Sequence, residues 1–182
     1  ELWTDADIEE FVGDEFPGLQ NLMNSYASGV MRADAFRLLL LKRLGGLYVD
    51  LDFVKLAPLD WLPASFGCAA QGEGVLCNAF LWAPFPEDPF LDGIEESLLA
   101  RAGRADPVHA TGPKLLTAHA TRGRPFTCIP TPWLYPVAWD DQERIRQIRT
   151  MSEEELRQNF PEAKAVHIWR NTWGGGSPSC WR

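Results

Sequence analysis

Arg32-Ala-Asp-Ala-Phe-Arg37-Leu-Leu-Leu-Leu-Lys-Arg-Leu-Gly45-Gly46-Leu-Tyr48-Val-Asp50-Leu-Asp52 decides the fold of this chain. It reads as a helix over about Arg32 to Leu44, stopped by Gly45-Gly46, since glycine is the residue that most readily ends a helix. The helix is apolar nearly all round and is expected to be well buried. A short apolar strand over Leu47–Asp52 follows, ending in two carboxylates one residue apart. On a strand, side chains at i and i+2 share a face, so Asp50 and Asp52 are expected to point into one crevice beyond the strand end. Two such carboxylates suit a hard divalent cation, Mn²⁺ or Mg²⁺, that keeps some water and completes its shell with ligand phosphates. Asp34 and Arg37, at i and i+3 on the helix, share a face and are placed to pair. The Gly-Gly turn brings that pair back toward the carboxylates.

Outward from this block, strands and helices alternate without repeats. Thr4-Asp-Ala-Asp7 starts a helix running to about Glu15. Further strands are expected near Val54–Leu56, Gly67–Ala70, Asn78–Trp82, Phe126–Ile129 and Ala165–Trp169. Further helices are expected near Pro89–Arg101, Gly112–Thr121 and Ser152–Phe160, the last opened by a Ser152/Glu155 capping box. The fold class is therefore α/β, a mixed sheet flanked by helices. Residues 174–182, glycine-rich at the start, read as a flexible tail.

At 182 residues the chain fits one domain with a real core. Its 17 basic and 25 acidic residues give a formal net charge of −8, and no basic run marks a nucleic-acid footprint. An acidic protein can still hold a diphosphate where a bound cation supplies the positive charge. The four cysteines, Cys68, Cys77, Cys128 and Cys180, lack zinc-site spacing, although a Cys68–Cys77 bridge would suit an oxidising compartment. No signal peptide and no run of membrane-spanning length is present. Trp61, Trp82, Trp133 and Trp173 sit beside Pro or Gly, where loops can line a cleft. Core packing is the bland reading for most of them, and stacking on a sugar ring the sharper one.

The Arg32–Asp52 block, followed by Pro58-Leu59-Asp60, resembles the DXD-containing sugar transferases of glycosyltransferase family 32. The matching positions are Arg32, Ala33, Asp34, Arg37, Leu41, Gly45, Gly46, Tyr48, Asp50, Asp52, Pro58, Leu59 and Asp60. Leu2-Trp3-Thr4-Asp5, Asn78-Ala79-Phe80, Thr111-Gly112-Pro113 and the His167–Trp173 segment, with Thr172 where the family has Ser, extend the resemblance over nearly the whole chain.

That resemblance implies a GT-A-type fold and a retaining transfer of a hexose from a nucleotide-sugar donor to a glycan or glycolipid acceptor. Mannose from GDP-mannose is the first expectation, with galactose or glucose from a UDP-sugar behind it. It further implies Mn²⁺ (or Mg²⁺) held by Asp50 and Asp52, with His167 as a third ligand. Asp52 is the more direct ligand, and Asp50 touches the ribose or the metal. Asp34 and Arg37 hold the donor sugar, Tyr48 and Asn78 lie on the substrate side, and Trp173 closes over nucleotide or sugar. No residue pair supplies an evident covalent nucleophile, so same-face attack by the acceptor hydroxyl is the expectation.

Relative to the family the chain reads as one catalytic domain, 1–182, truncated at its N-terminal strand region, so part of the base-binding half is expected to lie outside it. Membrane association is expected only through an anchor absent from this chain. The location would be the lumenal side of the Golgi membrane in a eukaryote and the cytoplasm in a bacterium. Two other readings compete. One is a non-catalytic sugar-nucleotide-binding remnant. The other is a haloacid-dehalogenase-type phosphohydrolase, with Asp50-Leu-Asp52-Phe-Val54 as nucleophile motif and Asp140-Asp141 as its later acidic pair.

Overall fold

The chain is described by a computed structural model over residues 3–72 and 74–170. Helix α1 (Asp5–Glu15) is opened by a reciprocal Thr4/Asp7 capping box, which satisfies two of the free N–H groups at the helix start. A 3₁₀ turn at Pro17–Leu19 leads to α2 (Gln20–Ser25) and then α3 (Gly29–Leu44). Ser28 caps α3 and Gly45, at φ 65°, closes it. Gly45 cannot be replaced freely: a Cβ there would lie 2.7 Å from the Phe85 carbonyl carbon.

Strand β1 (Gly46–Val49) follows at once, then β2 (Phe53–Lys55), β3 (Gly67–Gln71) and β4 (Val75–Ala83). Beyond a 3₁₀ turn at Pro89–Leu91 come α4 (Ile94–Leu99), α5 (Pro107–Ala110), α6 (Pro113–Ala120), β5 (Thr127–Ile129), α7 (Thr131–Leu134), α8 (Gln142–Ile148), α9 (Glu153–Asn159) and β6 (Ala165–His167). The main sheet runs β1-β4-β3-β5. Its β1–β4 and β3–β4 pairs are antiparallel and its β3–β5 pair is parallel, so the sheet is mixed as expected. A two-stranded antiparallel ribbon, β2 with β6, sets Phe53 opposite His167.

The main sheet divides two apolar clusters. Successive residues on a strand face opposite ways, so Tyr48, Cys68 and Leu81 join one cluster while Leu47, Ala69 and Phe80 join the other. The first cluster also takes the apolar side chains of α1, α2, α3, α4 and α6. The second takes those of α7, α8 and α9 and of the β2–β6 ribbon.

Several expectations need correction. Strand β1 stops at Val49, and Asp50, Leu51 and Asp52 form a turn before β2. The two carboxylates are brought together by that turn, not by sharing one face of a strand. The helix expected over Pro89–Arg101 is a 3₁₀ turn and a separate α4, broken at Gly93 in the left-handed region, φ 68°. Cys68 and Cys77 are free thiols. Trp61 and Trp133 pack edge-to-face in the second cluster, and the Trp82 indole donates to the Pro63 carbonyl. Trp173, Cys180 and the tail 174–182 lie outside the described residues. Among the described residues no helix is long and apolar enough to cross a membrane.

Candidate active site

Helix α3 delivers Asp34 and Arg37 to the end of the main sheet because the Gly45-Gly46 turn folds it directly back over β1. Both side chains are buried, and burial of charge demands partners. Arg37 finds them on all sides. Its Nη2 lies 2.8 Å from Asp34 Oδ1 and its Nη1 3.3 Å from Asp50 Oδ1. Nη1 also donates to the Asn78 carbonyl at 2.7 Å, and Nε donates to the Ala33 carbonyl at 3.3 Å. The guanidinium plane sits 4.4 Å from the centre of the Tyr48 ring. The Asn78 side-chain amide donates to Asp34 Oδ1 at 2.9 Å. Asp34 is held on its remaining side by Gly112, where a Cβ would come within 3.2 Å of Asp34 Oδ2. The Thr111-Gly112-Pro113 segment therefore belongs to the site through a close approach that a side chain would obstruct.

Burial pushes the Asp34 carboxyl up to about 6, against the pull of Arg37. For Arg37 burial alone would favour loss of the proton, but Asp34, Tyr48 and Asp50 outweigh it and raise its pKa, so the charge stays. Burial also raises Tyr48, again against Arg37. Its neutral phenol donates to Asp50 Oδ1 at 2.7 Å.

The second half of the site comes from the β2–β6 ribbon. His167 Nε2 lies 2.8 Å from Asp52 Oδ1, while the Arg170 backbone N–H donates to Asp52 Oδ2 at 2.7 Å. Burial works to raise the Asp52 pKa, but the hydrogen bond and charge of His167 and the Arg170 N–H overcome it and hold this carboxyl below its usual range. The His167 ring stacks on Phe53 at 4.6 Å and meets Trp169 at 4.1 Å. Trp169 itself sits at φ 53°, with its indole N–H donating to the Val137 carbonyl at 3.0 Å.

The two halves border one cleft of about 510 Å³ lined by Asp34, Arg37, Tyr48, Asp50, Asp52, Asn78 and His167, together with Gln71, Cys77 and Trp169. All the expected site residues within the described range are thus brought together. Asp140 and Asp141 do not line the cleft; Asp141 instead caps α8 by accepting from the Arg144 N–H. The phosphohydrolase reading loses its second acidic pair. Burial raises the Cys77 thiol to about 11, so it stands in the cleft as a neutral group and not as a nucleophile.

Ligand atoms of Asp50, Asp52 and His167 all lie within 4.8 Å of one another. Two carboxylates and an imidazole form a donor set that can hold a divalent cation. His167 Nδ1 is buried without a hydrogen-bond partner, so the ring is oriented by its aromatic neighbours and by the Asp52 contact.

Sequence reasoning missed Gln71 and Trp169. Gln71 ends β3 at the cleft wall, 7% exposed, and its Oε1 has no hydrogen-bond partner. A Gln closing an otherwise apolar strand, just before a glycine turn, is the only signal the sequence offers for it. Trp169 follows His167 by two residues, and its contribution depends on a left-handed backbone that no sequence pattern announces.

The chain is similar to several known proteins. Residues 2–66 match the family described as glycosyltransferase sugar-binding region containing DXD motif. Lactosylceramide 4-alpha-galactosyltransferase of Mus musculus is 32% identical over 151 residues, covering 75% of this chain and 40% of that protein. A mannosyl phosphorylinositol ceramide synthase of Saccharomyces cerevisiae is 41% identical over 66 residues, covering 35% of this chain and 17% of that protein. The chain therefore spans less than half the length of these two relatives. Among solved structures, PaToxG glycosyltransferase aligns with a TM-score of 0.49 and 17% identity, over 88% of this chain and 53% of that one. Residues 2–66, a stretch that includes Asp50-Leu51-Asp52, thus match the glycosyltransferase sugar-binding region containing DXD motif.

Proposed function

We propose that the chain is the catalytic part of a metal-dependent, retaining hexosyltransferase of GT-A type, using a nucleotide-diphosphate sugar as donor and a glycan or glycolipid hydroxyl as acceptor. The observation that carries this reading is the junction of Asp50, Asp52 and His167 with the Asp34–Arg37–Asn78 group around one cleft.

Asp50, Asp52 and His167 would hold a divalent cation, which would supply Lewis-acid stabilisation of the charge on the departing diphosphate. The chain's own groups do the rest. Arg37, fixed by Asp34 and Asp50, presents a permanent positive charge to the donor. Asp34 and Asn78 offer a carboxylate and an amide to sugar hydroxyls. The bond between anomeric carbon and diphosphate oxygen breaks, and a bond to the acceptor oxygen forms on the same face. The acceptor proton leaves with the diphosphate. A neutral Cys77 favours this route over a covalent adduct between sugar and thiol.

The donor hexose is mannose or galactose. The Arg32–Asp60 signature favours GDP-mannose, whereas the galactosyltransferase relative matches over the longer stretch. In a eukaryote, such an enzyme would work on the lumenal side of the Golgi membrane. The test is nucleotide release from GDP-mannose and UDP-galactose with Mn²⁺, in the chain and in Asp52→Asn. Metal-dependent release of GDP or UDP that is lost in the variant is expected. Tight binding of the donors with no turnover on any hydroxyl acceptor would replace the transferase by a sugar-nucleotide-binding remnant.

A further inference from the structure

Two short loops in this acidic chain carry arginine on both sides of a glycine: Arg101-Ala102-Gly103-Arg104 after α4 and Arg122-Gly123-Arg124 after α6. Gly103 and Gly123 both lie in the left-handed region, at φ 78° and φ 79°, which turns each chain sharply off its helix. Because α4 and α6 are neighbours, the turns bring Arg101, Arg104 and Arg122 to the rim of one cavity of about 190 Å³. It shares no residue with the cleft described above.

The floor of this cavity is closed. His119 is buried, with Nδ1 at 2.8 Å from the Ser97 hydroxyl and Nε2 at 2.6 Å from the Phe90 carbonyl. Neither ring nitrogen is left for a ligand. The rim is open. Arg101 spends one N–H on the His109 carbonyl at 2.8 Å, and Arg122 makes one long contact of 3.4 Å to the Gly93 carbonyl. Among the described residues, none of the three arginines makes an ion pair. The Glu96 carboxylate approaches Gly93 on the same side as Arg124 and Arg122, but it does not line the cavity. Arg101 is held below the ordinary arginine value by burial and then by the nearby charges of Arg104 and Arg122.

The negative ends of two helix dipoles account for a single arginine at each helix end. They do not account for three guanidinium groups facing one cavity with no acid opposite. Guanidinium forks match the oxygens of a phosphate group bidentately, and the exposed Leu99 stands beside them in sequence, half of its surface open. We propose that Arg101, Arg104 and Arg122 form a binding site for a phosphate group, separate from the nucleotide-sugar cleft. The phosphate is either free in solution or displayed by a phospholipid headgroup.

The experiment follows the arginine side-chain Nε resonances of the full chain by NMR, without divalent metal, during titration with inorganic phosphate. Co-sedimentation with phosphatidylcholine vesicles, plain or doped with phosphatidic acid, runs beside it. The paired variant Arg104→Gln/Arg122→Gln removes two exposed guanidinium groups and leaves the cleft intact. Arg146→Gln makes a charge change elsewhere on the surface as the control. A saturable shift of the three rim arginines, with an affinity that falls at least about tenfold when followed at Arg101 in the paired variant, the equivalent of one charge-assisted hydrogen bond, supports a free phosphate. Sedimentation with phosphatidic acid vesicles alone, lost in the paired variant and kept in the control, supports the headgroup. Absence of response to both probes overturns the proposal, as does binding that the paired variant leaves unchanged. Neither readout involves sugar transfer, so failure here leaves the transferase reading standing.

Discussion

His167 and Asp52 meet at 2.8 Å across 115 residues of sequence. The contact joins the last residue of β6 to the turn after β1, and so ties the far end of the chain to the DXD carboxylates. Asp52→Asn keeps the shape of the side chain but removes the charge. It is expected to lower Mn²⁺ affinity, measured by the electron paramagnetic resonance signal of free Mn²⁺, and to reduce nucleotide-sugar turnover by about 10²–10³-fold. His167→Gln should weaken the metal less than Asp52→Asn does, because both carboxylates remain.

Buried Asp34 and half-buried Asp52 respond to pH in opposite senses. Asp52 has a folded pKa below its ordinary 3.8, so its contribution to stability is present above that value and lost as pH falls through the folded one. Asp34 is raised from 3.8 to about 6. Between those values the folded state holds the extra proton, so this carboxyl's share of stability falls as pH rises. Urea unfolding of the metal-free chain from pH 4 to 7 should therefore show Asp34→Asn gaining on the parent as pH increases. An unchanged difference between the two would contradict the buried, charge-penalised state of Asp34.

Arg37 is the cation on which this corner depends. Arg37→Met leaves Asp34, 6% exposed, without its counter-charge. The expected loss is about 3–5 kcal/mol in chemical unfolding, the usual cost of breaking one side of a buried pair. Asp34→Asn should cost less, since Arg37 keeps Asp50 and the Asn78 carbonyl.

Gln71 offers a separation of stability from activity. Its buried Oε1 has no partner, and such a group costs about 1–3 kcal/mol. Gln71→Leu should leave the melting temperature unchanged or slightly raised. If the amide meets a sugar hydroxyl, the same variant raises KM for donor or acceptor. A variant that is both destabilised and normal in KM would remove Gln71 from the binding surface.

Gly45→Ala tests the turn that sets α3 over β1. The residue has φ 65°, and a Cβ would press on the Phe85 backbone at 2.7 Å. A loss of more than about 1 kcal/mol is expected, with reduced turnover because Arg37 and Asp50 are positioned from opposite sides of this turn.

Much of this was legible before the fold. The run Arg32–Leu44, the glycine pair and the two carboxylates are local features, and local rules read them: an apolar helix, a stop and a strand end. The Asp34–Arg37 pair follows from helix spacing alone. What failed depended on partners far away in sequence. The Asp50–Asp52 turn is shaped by the end of β6, where the following Ile168 N–H donates to the Asp52 carbonyl at 3.0 Å, and nothing near Asp52 announces that strand. The break at Gly93 had a signal in the Asp92-Gly93 step, which apolar periodicity over Pro89–Arg101 masked. Core packing, the reading given for most of the loop tryptophans, holds for Trp61 and Trp133, which meet edge-to-face against the second cluster. Trp169 enters the cleft only through its own unusual backbone.

The division of the interior into two apolar clusters has a consequence for how this site holds together. Arg37, Asp34 and Tyr48 hang from the cluster under α3, while Asp52, His167 and Trp169 hang from the cluster around the ribbon. Each cluster keeps its own half in order, and the sheet and the Arg37–Asp50 contact link the halves. A ligand touching both acts as a rivet between separate bodies, and its affinity reads out the mechanical register of one against the other.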